Sequence, residues 1–176
     1  PDVQPDAAAP VDMNATDRGH AACDPALALS ATQSAARPFD LVRMRPSGGT
    51  GQWRFELVTN DSGALLNETT GAYLAGETIG AVDRIRLTDE GCAGSADFDI
   101  RLVESILVRP LGGDVEREQS FQFRVERGSG QFEFEMVSSG SGGMITPTGL
   151  YTAGDVQGSD TIRIRDLETQ QVQDVT

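Results

Sequence analysis

At 176 residues the chain is long enough for one large domain or two small ones, since single cores form over about 50 to 200 residues. Its formal net charge is −13 and all 14 basic residues are arginine, which argues against nucleic acid as a partner, because phosphate binding needs a basic face. No apolar run approaches the roughly 20 residues of a membrane span, and two cysteines are too few for a disulfide scaffold or a zinc site.

Residues 1–22, PDVQPDAAAPVDMNATDRGHAA, carry Pro, Ala and Asp without apolar periodicity. A segment with nothing large to bury cannot offset its ordering entropy, so it is expected to be a flexible tether. Its composition resembles the spacer that follows the lipidated cysteine of bacterial surface lipoproteins, although no such cysteine is present.

From Pro25 onward the chain states one pattern twice, at an offset of 79 and later 77 residues. LAL at 27–29 answers ILV at 106–108, and GTGQWRFELV at 49–58 answers GSGQFEFEMV at 128–137. GAYLAG at 71–76 answers GLYTAG at 149–154, and DRIRLTD at 83–89 answers DTIRIRD at 160–166. Within each copy the period is two: Trp53, Phe55 and Leu57 alternate with Arg54 and Glu56, and Phe132, Phe134 and Met136 with Glu133 and Glu135. That period marks half-buried strands, and short strands separated by Gly, Asn, Asp and Pro predict a β-sandwich. The first copy closes with ADFDIRLV at 96–103, whereas the second stops at QDVT, about four residues shorter. The second copy is therefore expected either to be cut from something longer or to be completed by a neighbouring strand.

SGG-x-I at 141–145, GLYTAG and D-x-IRI-x-D resemble the bacterial immunoglobulin-like (Big-type) repeats found in tandem in secreted and surface proteins. The resemblance covers roughly residues 25–176 and implies two tandem immunoglobulin-like sandwiches, a first domain over 23–103 and a second over 104–176 with its last strand truncated. Gly71 and Gly149 are expected to need positive φ in a tight turn. Tyr73 and Tyr151 are expected to lay their rings on the core with the hydroxyl on a backbone partner. In such a sandwich the start of the first strand and the hairpin between the last two strands share one end. The fold thus implies a disulfide between Cys23 and Cys92, closing a loop of about 70 residues; the alternative is two unpaired thiols in a reducing compartment.

Nothing in the folded part points to catalysis. The single histidine, His20, precedes the repeats, lysine is absent, and neither G-x-S-x-G nor a phosphate loop occurs. No catalytic residue and no cofactor is therefore expected. Acidic side chains are dense around Asp89, Glu90, Asp97 and Asp99, and again at Asp114, Glu116 and Glu118. Carboxylates so spaced are a calcium candidate, but no D-x-D-x-D-G loop is present, and a solvated acidic surface is the favoured reading. Outward-facing Arg54, Arg84, Arg86 and Arg101 are expected to form cross-strand ladders with carboxylates. The sequence thus reads as a non-enzymatic spacer or stalk of a bacterial extracellular or cell-surface protein, with lipoprotein anchoring as one version. Its partners would be neighbouring domains or other surface proteins. The alternative is an adhesin-like module that grips a glycan or protein through its loops.

Overall fold

The computed structural model describes residues 20–176, and all of its regular structure is strand. The first half contains β1 (Ala28–Ala31), β2 (Ala35–Ala36), β3 (Leu41–Ser47), β4 (Trp53–Thr59), β5 (Leu65–Leu66), β6 (Ala72–Leu74), β7 (Val82–Asp89) and β8 (Ser95–Leu102). They form two four-stranded sheets, ordered β1-β3-β6-β5 and β2-β8-β7-β4. The inner faces meet in a core of Val42, Met44, Phe55, Tyr73, Ile85, Leu87, Ile100 and Leu102. Alternation along each strand sends these residues inward and the charged ones outward.

The second half repeats the plan with β9 (Leu107–Arg109), β10 (Ser120–Gln122), β11 (Arg124–Glu126), β12 (Phe132–Ser139), β13 (Met144–Ile145), β14 (Leu150–Thr152), β15 (Asp160–Asp166) and β16 (Val172–Val175). Its own core is built on Ile106, Val108, Phe123, Tyr151, Ile162, Ile164 and Val175. β10 and β11 are one strand interrupted at Phe123, and together they do what β3 does alone. β10 pairs with β14 while β11 pairs with β9, as β3 pairs with β6 and β1. The opposite sheet is ordered β12-β15-β16. Even an irregularity is duplicated: the β4–β7 register slips between Leu57 and Thr59, and the β12–β15 register between Met136 and Ser138. The chain is two tandem immunoglobulin-like β-sandwiches.

Gly71 and Gly149 take φ of 66° and 83°, the left-handed conformation expected of them. The expected tether lies outside the described residues except for His20, Ala21 and Ala22. Those last residues are engaged: the Ala93 N–H donates to the Ala21 carbonyl at 2.7 Å, and Ala22 bridges Ala93 in parallel.

Candidate functional site

Each sandwich encloses the same polar cluster, set by the residues that the two copies share. In the first, Asp83 at the start of β7 is fully buried. It accepts hydrogen bonds from the Ser62 N–H at 3.0 Å, the Ser62 hydroxyl at 2.5 Å and the Tyr73 hydroxyl at 2.5 Å. In the second, Asp160 accepts from the Ser141 N–H and hydroxyl, both at 2.7 Å, and from the Tyr151 hydroxyl at 2.6 Å. The serine oxygen then accepts the N–H of Gly76 at 3.2 Å, or of Gly154 at 3.0 Å. A Cβ at either glycine would overlap the carbonyl of that serine, which explains why both copies end G-x-Y-x-A-G on glycine. The tyrosine partner is thus a carboxylate rather than the expected backbone group, a correction with a plain cause. A buried aspartate needs donors, and the phenol is the strongest neutral donor within reach.

The electrostatics follow. Burial, reinforced by the hydrogen bond to Asp83, pushes the Tyr73 phenol far above its ordinary value, and Tyr151 shifts in the same direction for the same reasons. Burial pushes the Asp160 carboxyl up, but hydrogen bonds from Tyr151 and Ser141 outweigh it and hold the group below the ordinary carboxylate range. Ser62, buried and donating straight to a carboxylate, is a clamp closing a turn rather than a nucleophile facing solvent.

The far end of the same strand carries a second aspartate in each copy. Asp89 receives the Thr50 hydroxyl and the N–H groups of Thr50, Gly51 and Gly91. Asp166 receives the N–H groups of Ser129, Glu168 and Thr169. Each is a cap for a glycine-rich loop, so D-x5-D is one strand fastened at both ends. Burial raises the Asp89 and Asp166 carboxyls, but these donors prevail and lower them.

The acidic positions considered for calcium are not brought together. Asp89 is spent on its loop, and Glu90 is exposed in the hairpin turn. Asp97 is held by Arg86 through two bonds of 2.7 Å, and Asp99 by Arg84 at 2.7 and 2.8 Å. Those guanidinium bonds lower both carboxyls. Among the described residues no three His, Cys, Asp or Glu side chains converge as a metal site would require. Glu116 and Glu118 are exposed in the loop before β10, with Asp114 in the same loop. The ladder pairs differ in detail from expectation. Arg54 meets Glu68, Arg163 meets Asp174, and Arg101 reaches Glu168 and the Ser129 carbonyl of the second sandwich at 3.2 and 3.0 Å.

Cys23 and Cys92 are joined, with Cα atoms 5.0 Å apart, at the end of the first sandwich where its chain enters. Two further features stand out on the surface. Phe39, Leu41, Leu65 and Leu74 lie 67, 56, 68 and 36% exposed on the outer face of the first sandwich, where Leu74 is the cross-strand neighbour of both Leu41 and Leu65. In the second sandwich the matching positions hold Glu118, Ser120, Met144 and Thr152, with Ser120 and Thr152 hydroxyls bonded at 2.7 Å. The second feature is a cavity of about 540 Å³ beside the end of β16.

No family model matches the chain, and no curated protein matches it. Among solved structures it is similar to the C-terminal 282-residue fragment of intimin, crystallised with the intimin-binding domain of the translocated intimin receptor. The identity is 10%, the TM-score 0.51, and the alignment covers 84% of this chain and 62% of the fragment. Domains 3–5 of Drosophila OTK align at 11% identity over 87% of this chain and 59% of theirs, TM-score 0.42. Drosophila N-cadherin EC1-4 aligns at 10% identity over 85% and 49%, TM-score 0.39. At such identity the intimin likeness speaks to the fold: sandwiches in tandem. Among the described residues no helix is long and apolar enough to cross a membrane.

Proposed function

We propose that the chain is a non-enzymatic spacer segment of an extracellular or cell-surface protein, in which two sandwiches, residues 23–103 and 104–176, hold neighbouring modules apart. The observation that carries this reading is the fate of the repeated polar residues. Ser62, Tyr73, Asp83 and Asp89, with their four counterparts, are all turned inward and bonded to one another or to backbone. What the two copies share therefore serves the fold. The disulfide supports an oxidising compartment. The bacterial repeat family and attachment through a lipidated N-terminal tether are the narrower form of the same proposal.

Stiffness comes from a joint with little slack. Between Leu102 and Ile106 only Val103, Glu104 and Ser105 intervene, and Arg101 crosses to Glu168 and Ser129. Spin labels on noncanonical side chains at Glu90 and Asp155, at opposite ends of the tandem, test this. The expected result is one narrow distance on the order of 70 Å, the length of two stacked sandwiches. A broad distribution, or a mean below half that length, overturns the spacer.

A second reading, a binding module, is favoured by the patch of Phe39, Leu41, Leu65 and Leu74. These side chains lie on a sheet face rather than in loops, and the fold does not require them, since the second copy is largely polar there. Arg43 and Arg45 continue the same face along β3, and among the described residues neither has an ion-pair partner.

A further inference from the structure

The outer face of the first sandwich is ordered in rows. Leu41, Leu74 and Leu65 stand opposite one another across β3, β6 and β5. Arg43 and Arg45 follow on β3, while Val42 and Met44 between them are turned into the core. The strand rise therefore sets one guanidinium about 7 Å and the other about 13 Å beyond the leucine row. Phe39 stands past the row on its other side, in the left-handed conformation at φ 66°, as its counterpart Glu118 does at 62°. The turn imposes that conformation in both copies, so what is particular to the first is an aromatic side chain placed there and left exposed.

The charges of this face are unspent. Arg37, Arg54, Arg84 and Arg86 of the same sandwich are each held by a carboxylate, whereas among the described residues neither Arg43 nor Arg45 has an ion-pair partner. In the second sandwich the place of Arg43 is taken by Gln122, whose amide turns back onto the carbonyls of Phe123 and Thr148. An unpaired pair of guanidinium groups in a chain of net charge −13 is a local exception, and it borders the apolar row.

The shape of the face decides what it can hold. β3 lies between β1 and β6, and β6 between β3 and β5, so the ladder bonds of these strands are made within the sheet and the face offers side chains alone. An extended peptide laid flat on it would bury backbone groups without partners, but a helix satisfies its own. Four strands span about 14 Å and Leu41 to Arg45 about 13 Å, which suits one helix and falls well short of the roughly 800 Å² per partner of a stable dimer. Two copies of so acidic a chain would also repel each other.

We propose that this face docks an amphipathic helix of a partner polypeptide, with apolar side chains over Leu41, Leu65 and Leu74 and carboxylates on the next two turns against Arg43 and Arg45. A helical turn of about 5.4 Å keeps near step with the spacing of the two arginines along β3. The partial negative charge of a helix C-terminus favours the orientation in which that end lies towards Arg45. The proposal rests on the binding reading above and gives that reading its partner: an acidic, leucine-bearing helix.

The probe is the peptide Ala-Leu-Ala-Lys-Leu-Leu-Ala-Lys-Glu-Ala-Lys-Ala-Glu-Ala, whose leucines and glutamates fall on one helical face, titrated into the full chain by calorimetry. Saturable one-to-one binding is expected, at least about tenfold tighter than for the same peptide with lysine in place of both glutamates, although the net charge of the chain draws the lysine peptide more strongly. Leu41→Ser with Leu74→Thr should weaken binding at least about tenfold, and Arg43→Gln with Arg45→Gln should remove the preference for glutamate. Equal affinities for the two peptides, still weakened by the leucine exchange, would overturn the acidic partner while leaving the patch a binding face. No saturable binding at millimolar peptide would overturn the proposal, as would self-association of the chain in sedimentation that the leucine exchange abolishes, which would make a second copy the occupant.

Discussion

The two sandwiches share their fastenings and differ in their closure. Both hold a tyrosine, a serine turn and an aspartate at one end of the penultimate strand, and a capped glycine loop at the other. The first is sealed by the parallel β2 and by the Cys23–Cys92 bond. The second contains no cysteine, carries a loop at residues 112–118 where the first has β2, and holds the cavity. Their outer faces differ as well, apolar in the first and largely polar in the second. The comparison separates two kinds of residue: those repeated are required to make the fold, and those not repeated are free to serve something else.

The sharpest way to break the comparison is to remove the same hydroxyl from both halves. Tyr73→Phe leaves Asp83 buried and short of a donor, and is expected to destabilise the first sandwich by about 1 to 3 kcal/mol. Tyr151→Phe should cost less, because Tyr151 and Asp160 line the cavity and water can replace the lost donor. Thermal melts of the two variants measure this, and equal losses would mean that the cavity does not reach the cluster. A smaller effect sharpens the other half of the argument. Exchanging the outer residues of the first sandwich for those of the second, Leu41→Ser with Leu74→Thr, should change stability by no more than about 0.5 kcal/mol, as befits exposed positions. A loss of several times that amount in the same melts would make the patch part of the fold and remove the observation behind the binding reading.

Much of this was legible in the sequence, and for a physical reason. Period-two alternation in WRFELV and FEFEMV reports which side of a strand is buried, and the repeat itself reports two copies of one architecture. Cys23 and Cys92 could be paired once the sandwich topology was assumed. The D-x5-D pattern was also in view, at 83–89 and 160–166, yet an aspartate at a strand end looks the same whether it is solvated or buried. Only the fold brings Ser62, eleven residues before Tyr73, onto the same carboxylate. Asp89 illustrates the ambiguity: grouped with Glu90, Asp97 and Asp99 by sequence, it turns away from them to cap the loop at Thr50 and Gly51. The patch of Leu41, Leu65 and Leu74 was hidden for a different reason. Each is unremarked in its own strand, and only strand pairing makes them neighbours.

The central claim, equal fastenings but unequal closure, is tested most directly by unfolding each half separately in one urea titration. Trp53, the single tryptophan, reports the first sandwich by fluorescence, and hydrogen exchange of the 160–166 amides reports the second. The account predicts that the 160–166 amides lose protection at lower urea than the Trp53 transition, and that reducing the Cys23–Cys92 bond narrows the gap from the Trp53 side. Coincident transitions in oxidised protein, or loss of the Trp53 signal first, would contradict it.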